Sequence, residues 1–139
     1  MDEPKLELGF RFIFPHAKGR EFIVARGKNI KFLEIQSGTK MSPQHVEKYI
    51  KLGETDKWHF ARKLQKELFR ENIDFLYNLT ENFVIVLMDK IFLEKNVFSK
   101  NEFFRIVRKI YNTTMILVFL IQDFFADEFF PKDFTIDKK

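Results

Sequence analysis

The amino-acid sequence predicts an α+β fold: a single antiparallel sheet of about five strands with the helices on one face, in the order βββααββα. Two observations predict it. Apolar residues recur at every second position near the start of the chain, as in strands, and at helical spacing in the middle and near the end. Successive predicted strands are joined by short turns, which favours antiparallel pairing.

Three strands are predicted in the first third of the chain. In residues 6–14 an apolar side chain stands at every second position between mostly polar neighbours, the pattern of a half-buried strand. A turn at 15–19 leads to a second strand at 20–26, and Gly27-Lys28-Asn29 connects this strand tightly to a third at 30–36. The simplest arrangement of the three is an antiparallel meander.

Two helices are predicted next. Ser42 before Pro43 is typical of a helix start, because the hydroxyl caps a free amide and proline is tolerated in the first turn. This helix ends near Gly53, and a second begins after residue 55 or 56 and continues to about 71. The single tryptophan, Trp58, lies on the second helix, where we expect it to anchor the core or an interface.

The last third contains two strands and a long helix. The strands are predicted at 73–79 and 83–88, and the second is apolar on both faces, which predicts a central strand with both faces covered. Ser99-Lys100-Asn101-Glu102 fits a capping box, in which a serine and a glutamate satisfy free amides at a helix start. We therefore expect a helix from about 101 to 125.

The second half of this last helix predicts self-association. Residues 115–121 are apolar all round, and a sheet covers one side of a helix only. The tail, residues 126–139, carries further large apolar side chains, so we expect it to pack on its own domain or on a partner. The predicted partner is a second copy in a homodimer, or a protein or peptide, and the predicted interface contains Leu117, Leu120, Phe124, Phe129 and Phe130.

Composition limits the possible classes. The chain has 139 residues, enough for a single domain spanning 1–139. Nineteen residues are phenylalanine and none is cysteine, so we expect a core of large rings, without disulfides, thiolate metal sites or a cysteine nucleophile. The absence of cysteine and the many charges are compatible with a heat-adapted source. No apolar run approaches the roughly 20 residues of a membrane span, and the predicted location is the cytoplasm.

Three segments resemble an uncharacterised, mostly archaeal family of small proteins: Met41-Ser42-Pro43-Gln44-His45, the helix through Trp58-His59-Phe60-Ala61-Arg62-Lys63-Leu64, and Val97-Phe98-Ser99-Lys100-Asn101-Glu102-Phe103-Phe104-Arg105. The resemblance covers roughly residues 41–125. The order of elements is also similar to that of type III secretion chaperones, small α+β proteins that dimerise and hold partner segments. This second resemblance implies a chaperone-like role, and neither resemblance implies a catalytic residue.

An enzyme is the first alternative. His45 and His59 lie on neighbouring predicted helices, and with Asp56 they are candidate ligands for a metal-assisted hydrolase. Helix-start and surface histidines are the simpler interpretation. A metal nuclease would need converging carboxylates, for which Glu34 on one strand and Asp89 and Glu94 near another are candidates, although Gln36 stands where its carboxylate-x-Lys pattern has a lysine. Glycine-rich phosphate loops and hydrolase serine motifs are missing, and no cofactor is predicted.

Nucleic-acid binding is the second alternative. Phe10, Phe12 and Phe22 alternate with arginines, as in sheets that stack bases and track phosphates. The same alternation, however, places these rings together on the face that helices would bury. Basic residues exceed acidic ones by only four (24 against 20). The densest basic run, 62–70, is interpreted as a solvated helix face with local ion pairs.

Overall fold

The computed structural model describes residues 6–16, 19–94 and 99–126, and its elements follow the predicted order βββααββα. In chain order they are β1 Leu6–Phe14, β2 Arg20–Gly27, β3 Phe32–Lys40, α1 Pro43–Ile50, α2 Glu54–Glu71, β4 Asp74–Asn78, β5 Val84–Phe92 and α3 Lys100–Phe124. The predicted α+β class and the order of elements are confirmed.

The five strands form one antiparallel sheet in the order β1-β2-β3-β5-β4. β3 and β5 pair over their whole lengths, from Phe32 opposite Phe92 to Lys40 opposite Val84. The shorter β4 pairs with the other side of β5. Because side chains alternate along a strand, this register decides which residues share a face of the sheet.

The core lies between one face of the sheet and the helices. Every second residue of the three inner strands is buried: Phe22, Val24, Leu33, Ile35, Ser37, Thr39, Ile85, Leu87 and Ile91. α3 packs on β3 and β5, and α2 packs beside α3. α2 also lies over β4, where the Gln65 side-chain amide donates to the Tyr77 hydroxyl (2.7 Å) and the Phe69 and Phe75 rings are 5.5 Å apart.

The helix starts confirm the two predicted serine caps, whereas the described hydrogen bonds do not include the glutamate half of the capping box, since the Glu102 carboxylate pairs with Arg105 (3.8 Å). The Ser42 hydroxyl accepts a hydrogen bond from the His45 amide (3.2 Å), and the Ser99 hydroxyl accepts one from the Glu102 amide (3.2 Å). α2 begins slightly earlier than predicted, at Glu54. Asn72 closes α2 in the left-handed conformation (φ 56°), which asparagine tolerates better than most residues.

Two strands differ from their predicted extents. β3 continues to Lys40 instead of ending at residue 36, with Ser37 and Thr39 buried on the helix side. β5 continues to Phe92, and its second face is not covered by any described helix: Val84, Val86 and Met88 are only half-buried there. The apolar run therefore predicted the central position of β5 correctly, but it did not show whether both faces of the strand are covered.

None of the three described helices combines the length and the apolarity that crossing a bilayer requires.

Candidate functional site

An open groove of about 710 Å³ lies between α2 and α3. Its α3 wall is mainly apolar and consists of Ile116, Phe119, Leu120 and Phe124 with one acid, Asp123. These residues lie on one side of the helix because they are spaced by three or four positions. Phe119 is 56% exposed, whereas Leu117, on the other side of the same turn, is completely buried in the core. The groove thus exposes an aromatic ring within a mainly apolar wall.

The α2 wall of the groove is basic. Lys63, Lys66 and Arg70 line it together with Glu67. Arg70 pairs with Glu67 (3.3 Å), but the described ion pairs include neither lysine. Asp123 adds one acid from the end of α3. The basic run was predicted to form a solvated helix face. In the structure this face forms the rim of the groove, where two lysines are available to a ligand.

The groove offers features suited to binding. The described residues that line it are four apolar side chains, three cations and two carboxylates, without a hydroxyl, thiol or imidazole group among them. Apolar burial and attraction to ammonium groups are the interactions that it offers. A segment carrying both acidic and aromatic side chains matches these two walls.

The structure divides the predicted interface residues among three environments. Leu120 and Phe124 line the groove and are half-buried, and the Phe124 ring lies 4.9 Å from Phe60. Leu117 belongs to the protomer's own core, while Phe129 and Phe130 lie outside the described residues. The interface itself stays a prediction.

The sequence analysis did not single out Ile116 and Phe119 as groove residues. Helical spacing was the available signal, since both fall on the side of α3 that carries Leu120 and Phe124. Residues 115–121 were instead treated as apolar all round and covered on every side. In the described structure Leu117 and Ile121 are buried, Phe119 is exposed, and the other residues of this stretch are half-buried.

Trp58 does not anchor the core. Its ring is 55% exposed, and the Arg62 guanidinium stacks over it at 4.6 Å from the ring centre. The inward side of α2 is occupied by Phe60, Leu64 and Leu68, and residues two positions apart point to nearly opposite sides of a helix. A role in an interface stays a prediction.

The candidate metal ligands occupy separate local environments. His45 lies in the first turn of α1, where its Nδ1 is 3.0 Å from the Ser42 hydroxyl and its ring stacks on Phe125 at 5.4 Å. Burial, and then the charge of Lys48, lower the pKa of His45. His59 and Asp56 are exposed on α2. Within the described part of the chain, no three histidine, aspartate or glutamate residues form a group that could hold a metal ion.

The candidate nuclease carboxylates lie on opposite faces of the sheet. Glu34 is opposite Lys90 on the open face, whereas Asp89 is opposite Ile35 on the helix side. There Asp89 accepts from the Lys109 ammonium group (3.3 Å), which also donates to the Asn72 carbonyl oxygen (2.9 Å). Asp89 therefore helps to tie β5, α3 and the end of α2 together.

The rings considered for nucleic-acid binding face the helices. Phe12 stacks on Phe22 with ring centres 5.3 Å apart and also meets Phe103 of α3 at 5.8 Å. Arg11 points to the other face and pairs with Glu21 (3.2 Å). Arg11 thus lies on the face opposite Phe12 and Phe22, and these two rings pack against the core and α3 instead of being open to stack on bases.

A second partly apolar surface is the open face of the sheet. Leu76 and Val86 are opposite each other on β4 and β5, with Leu76 66% exposed. Glu34 and Lys90 form an opposed pair on the same face. Its apolar residues are therefore interrupted by charges of both signs, whereas the α3 wall of the groove carries one acid, Asp123.

Two comparisons with known proteins give matches. A family model described as "Uncharacterized conserved protein (DUF2299)" matches residues 1–121. The fold is similar to the crystal structure of an uncharacterized protein from Methanothermobacter thermautotrophicus, with a TM-score of 0.76 over 88% of this chain and 85% of that chain. The sequences are 16% identical, so this likeness shows the fold alone. No curated protein matches the sequence. The expected resemblance to an uncharacterised family is confirmed, and the structural neighbour is archaeal.

Proposed function

The chain belongs to the family of uncharacterized conserved proteins DUF2299, and we propose that it is a non-enzymatic protein-interaction module that acts as a homodimer in the cytoplasm. The observation that carries this proposal is the exposed Phe119 ring in the apolar wall of the α2–α3 groove. In the proposed dimer the groove of each copy belongs to the interface.

The chemistry of the groove supports this proposal. Binding energy in protein interfaces is concentrated in aromatic and arginine side chains at the centre of an apolar patch with a polar rim. Phe119 has this position, with Ile116 and Leu120 beside it and lysines of α2 at the rim. Single exposed apolar residues are common on protein surfaces, but Phe119 lies next to the half-buried Ile116 and Leu120 on the same side of α3, and together they form an apolar patch.

The resemblance to type III secretion chaperones supports the same class of function. Those proteins are small α+β dimers that hold segments of partners, and the order βββααββα is similar to theirs. We extend the proposal to a chaperone-like role, in which the groove face also receives a protein or peptide segment. The whole chain, 1–139, acts as one domain in this proposal, with the tail belonging to the interface.

The other hypotheses gain no support from the described residues. The histidines expected for a metal-assisted hydrolase are not part of a ligand group, and the nuclease carboxylates lie on opposite faces. The rings expected for nucleic-acid binding face the helices.

Light scattering coupled to size exclusion, over a dilution series of untagged protein, tests the homodimer. We expect a dimer at micromolar concentration, and for Phe119→Glu a folded monomer with the circular-dichroism spectrum of the wild type. The matched control is Phe92→Glu, since Phe92 is 73% exposed but lies on the open face of the sheet. A wild-type monomer throughout, or dissociation by Phe92→Glu and not by Phe119→Glu, would overturn the proposed interface.

A further inference from the structure

The groove begins where the chain leaves α3. α2 and α3 run antiparallel: Phe60, near the start of α2, contacts Phe124, and the Lys109 ammonium group reaches the Asn72 carbonyl oxygen at the other end. Phe124 lines the groove, and Phe125 is buried within 5.5 Å of Phe60. Residues 127–139 therefore follow a helix end that forms part of the groove.

The composition of these residues matches the groove. Asp127 and Glu128 are followed directly by Phe129 and Phe130, and then by Pro131. The lysines of the α2 wall would bind the two acids, and the apolar α3 wall would bind the two rings. Such a segment was inferred above from the groove alone.

The area that a dimer needs also calls for a further segment. A stable interface buries about 800 Å² on each partner. Of the four apolar side chains of the α3 wall only Phe119 is more than half exposed, so together they contribute less than about 400 Å². Three cations and two carboxylates line each groove, so a second groove carries the same net positive charge and would not neutralise the first. Two groove faces alone therefore supply too little apolar area and too much like charge.

We infer that residues 127–139 of each copy occupy the α2–α3 groove of the other copy. This inference rests on the proposed homodimer and names what its groove binds. The acids neutralise Lys63 and Lys66, the rings cover Phe119, and the exchanged segments add the missing area. Reciprocal exchange of an identical segment is a low-cost route to a dimer. It also defines the external partner that the groove fits: a segment with paired acids followed by aromatic residues.

The test uses the full chain, which has no cysteine, so that one introduced thiol can be labelled specifically. Chains carrying Lys132→Cys with a nitroxide are mixed and equilibrated with ¹⁵N-labelled chains that carry no nitroxide. We expect the nitroxide to broaden the amide signals of Lys66, Phe119 and Leu120 in the ¹⁵N chains. Signals of Val86, on the open face of the sheet, should stay sharp.

Four further variants connect the signal to the groove. In ¹⁵N chains, Phe119→Glu should remove the broadening, whereas Phe92→Glu should keep it. Lys66→Glu should weaken the dimer about tenfold, and combining it with Glu128→Lys should recover most of that loss, because the charges are exchanged. Recovery would not follow if Lys66 had only a structural role in α2.

The outcomes separate this inference from the proposed function. A second sample carries the nitroxide and the ¹⁵N label on the same chain. Broadening in this sample and not in the mixture would place the segment in its own groove and overturn the exchange. Absence of broadening in both samples would show that the segment does not occupy the groove. In both cases a dimer that Phe119→Glu dissociates would leave the proposed function standing, and a wild-type monomer would end both.

Discussion

The two sides of α3 near its end are both apolar, but they have different surroundings. Leu117 is completely buried between α3 and the sheet, whereas Phe119, two residues later, is 56% exposed in the groove. Burial of the first stabilises the protomer. The second contributes little until another segment covers it. The number of apolar side chains on a helix therefore shows how much apolar surface can be buried. The position of each side chain in the fold decides whether folding or association buries it.

The largest expected effect follows from comparing the two positions directly. Leu117→Ala should lower the free energy of unfolding by about 2–5 kcal/mol, because it leaves a cavity in the core. Phe119→Ala should change it by less than about 1 kcal/mol in the monomer. Urea denaturation followed by circular dichroism, at concentrations where the protein is monomeric, measures both. Equal losses of unfolding free energy for the two variants would contradict the proposed difference between the two sides of α3.

A polar contact on the sheet side of α3 should give the next largest effect. Lys109→Met removes the partner of Asp89 and the donor to the Asn72 carbonyl oxygen. Both side chains of the ion pair are about 70% shielded (28% and 29% exposed), so we expect a loss of roughly 1–2 kcal/mol.

The matched control for this contact is an exposed pair on the same helix. Arg105 and Glu102 are 3.8 Å apart, and the arginine side chain is 63% exposed, so Arg105→Met should cost less than about 0.5 kcal/mol. Denaturation of both variants under the same conditions checks this. Equal losses of unfolding free energy for Arg105→Met and Lys109→Met would show that shielding from solvent does not explain the contribution of the Lys109 contact.

A buried hydroxyl on the sheet side of α3 predicts a gain in stability. Thr114 is completely buried, and its hydroxyl has no hydrogen-bond partner among the described residues. Thr114→Val keeps the shape and removes the unsatisfied group, so it should stabilise the fold by up to about 1 kcal/mol. Thr113→Val, also at a buried position, is the control and should give no gain. Thermal denaturation would contradict this if Thr114→Val melted below wild type.

The smallest expected effect is a pH dependence at the end of the groove helix. Burial and Lys48 lower the pKa of His45, whose ring stacks on Phe125. The unfolded chain therefore binds the proton more readily, and stability should fall as the pH drops below the ordinary value of about 6.5. His45→Gln should remove this contribution and Lys48→Gln should reduce it. Unfolding free energies between pH 7.5 and 5.5 measure the slope, and identical slopes in all three proteins would refute the assignment.

Much of the fold could be predicted because its signals are local. Alternating apolar residues identified the strands, and Ser42 and Ser99 marked two helix starts to within a residue. These patterns depend on neighbours within one or two turns of chain. Where local signals conflicted, prediction was less accurate: Ser37 and Gly38 interrupted the apolar alternation, yet β3 continues through both.

The candidate site was predictable only in part. Leu120 and Phe124 were identified from apolar density, but so was Leu117, which belongs to the core. Density does not distinguish the sides of a helix. The basic wall was visible as a run of charges, and nothing in that run indicated that it would face an apolar helix.

Local order in this protein comes from side-chain spacing and capping chemistry, which act between residues close in the chain. The strand order β1-β2-β3-β5-β4, the contact of Lys109 with Asp89 and the pairing of a basic with an apolar wall depend on elements far apart in the chain. Their positions follow from which packing buries the most apolar surface while keeping buried polar groups satisfied. That balance is reached by the assembled sheet and helices together, so no single segment contains it.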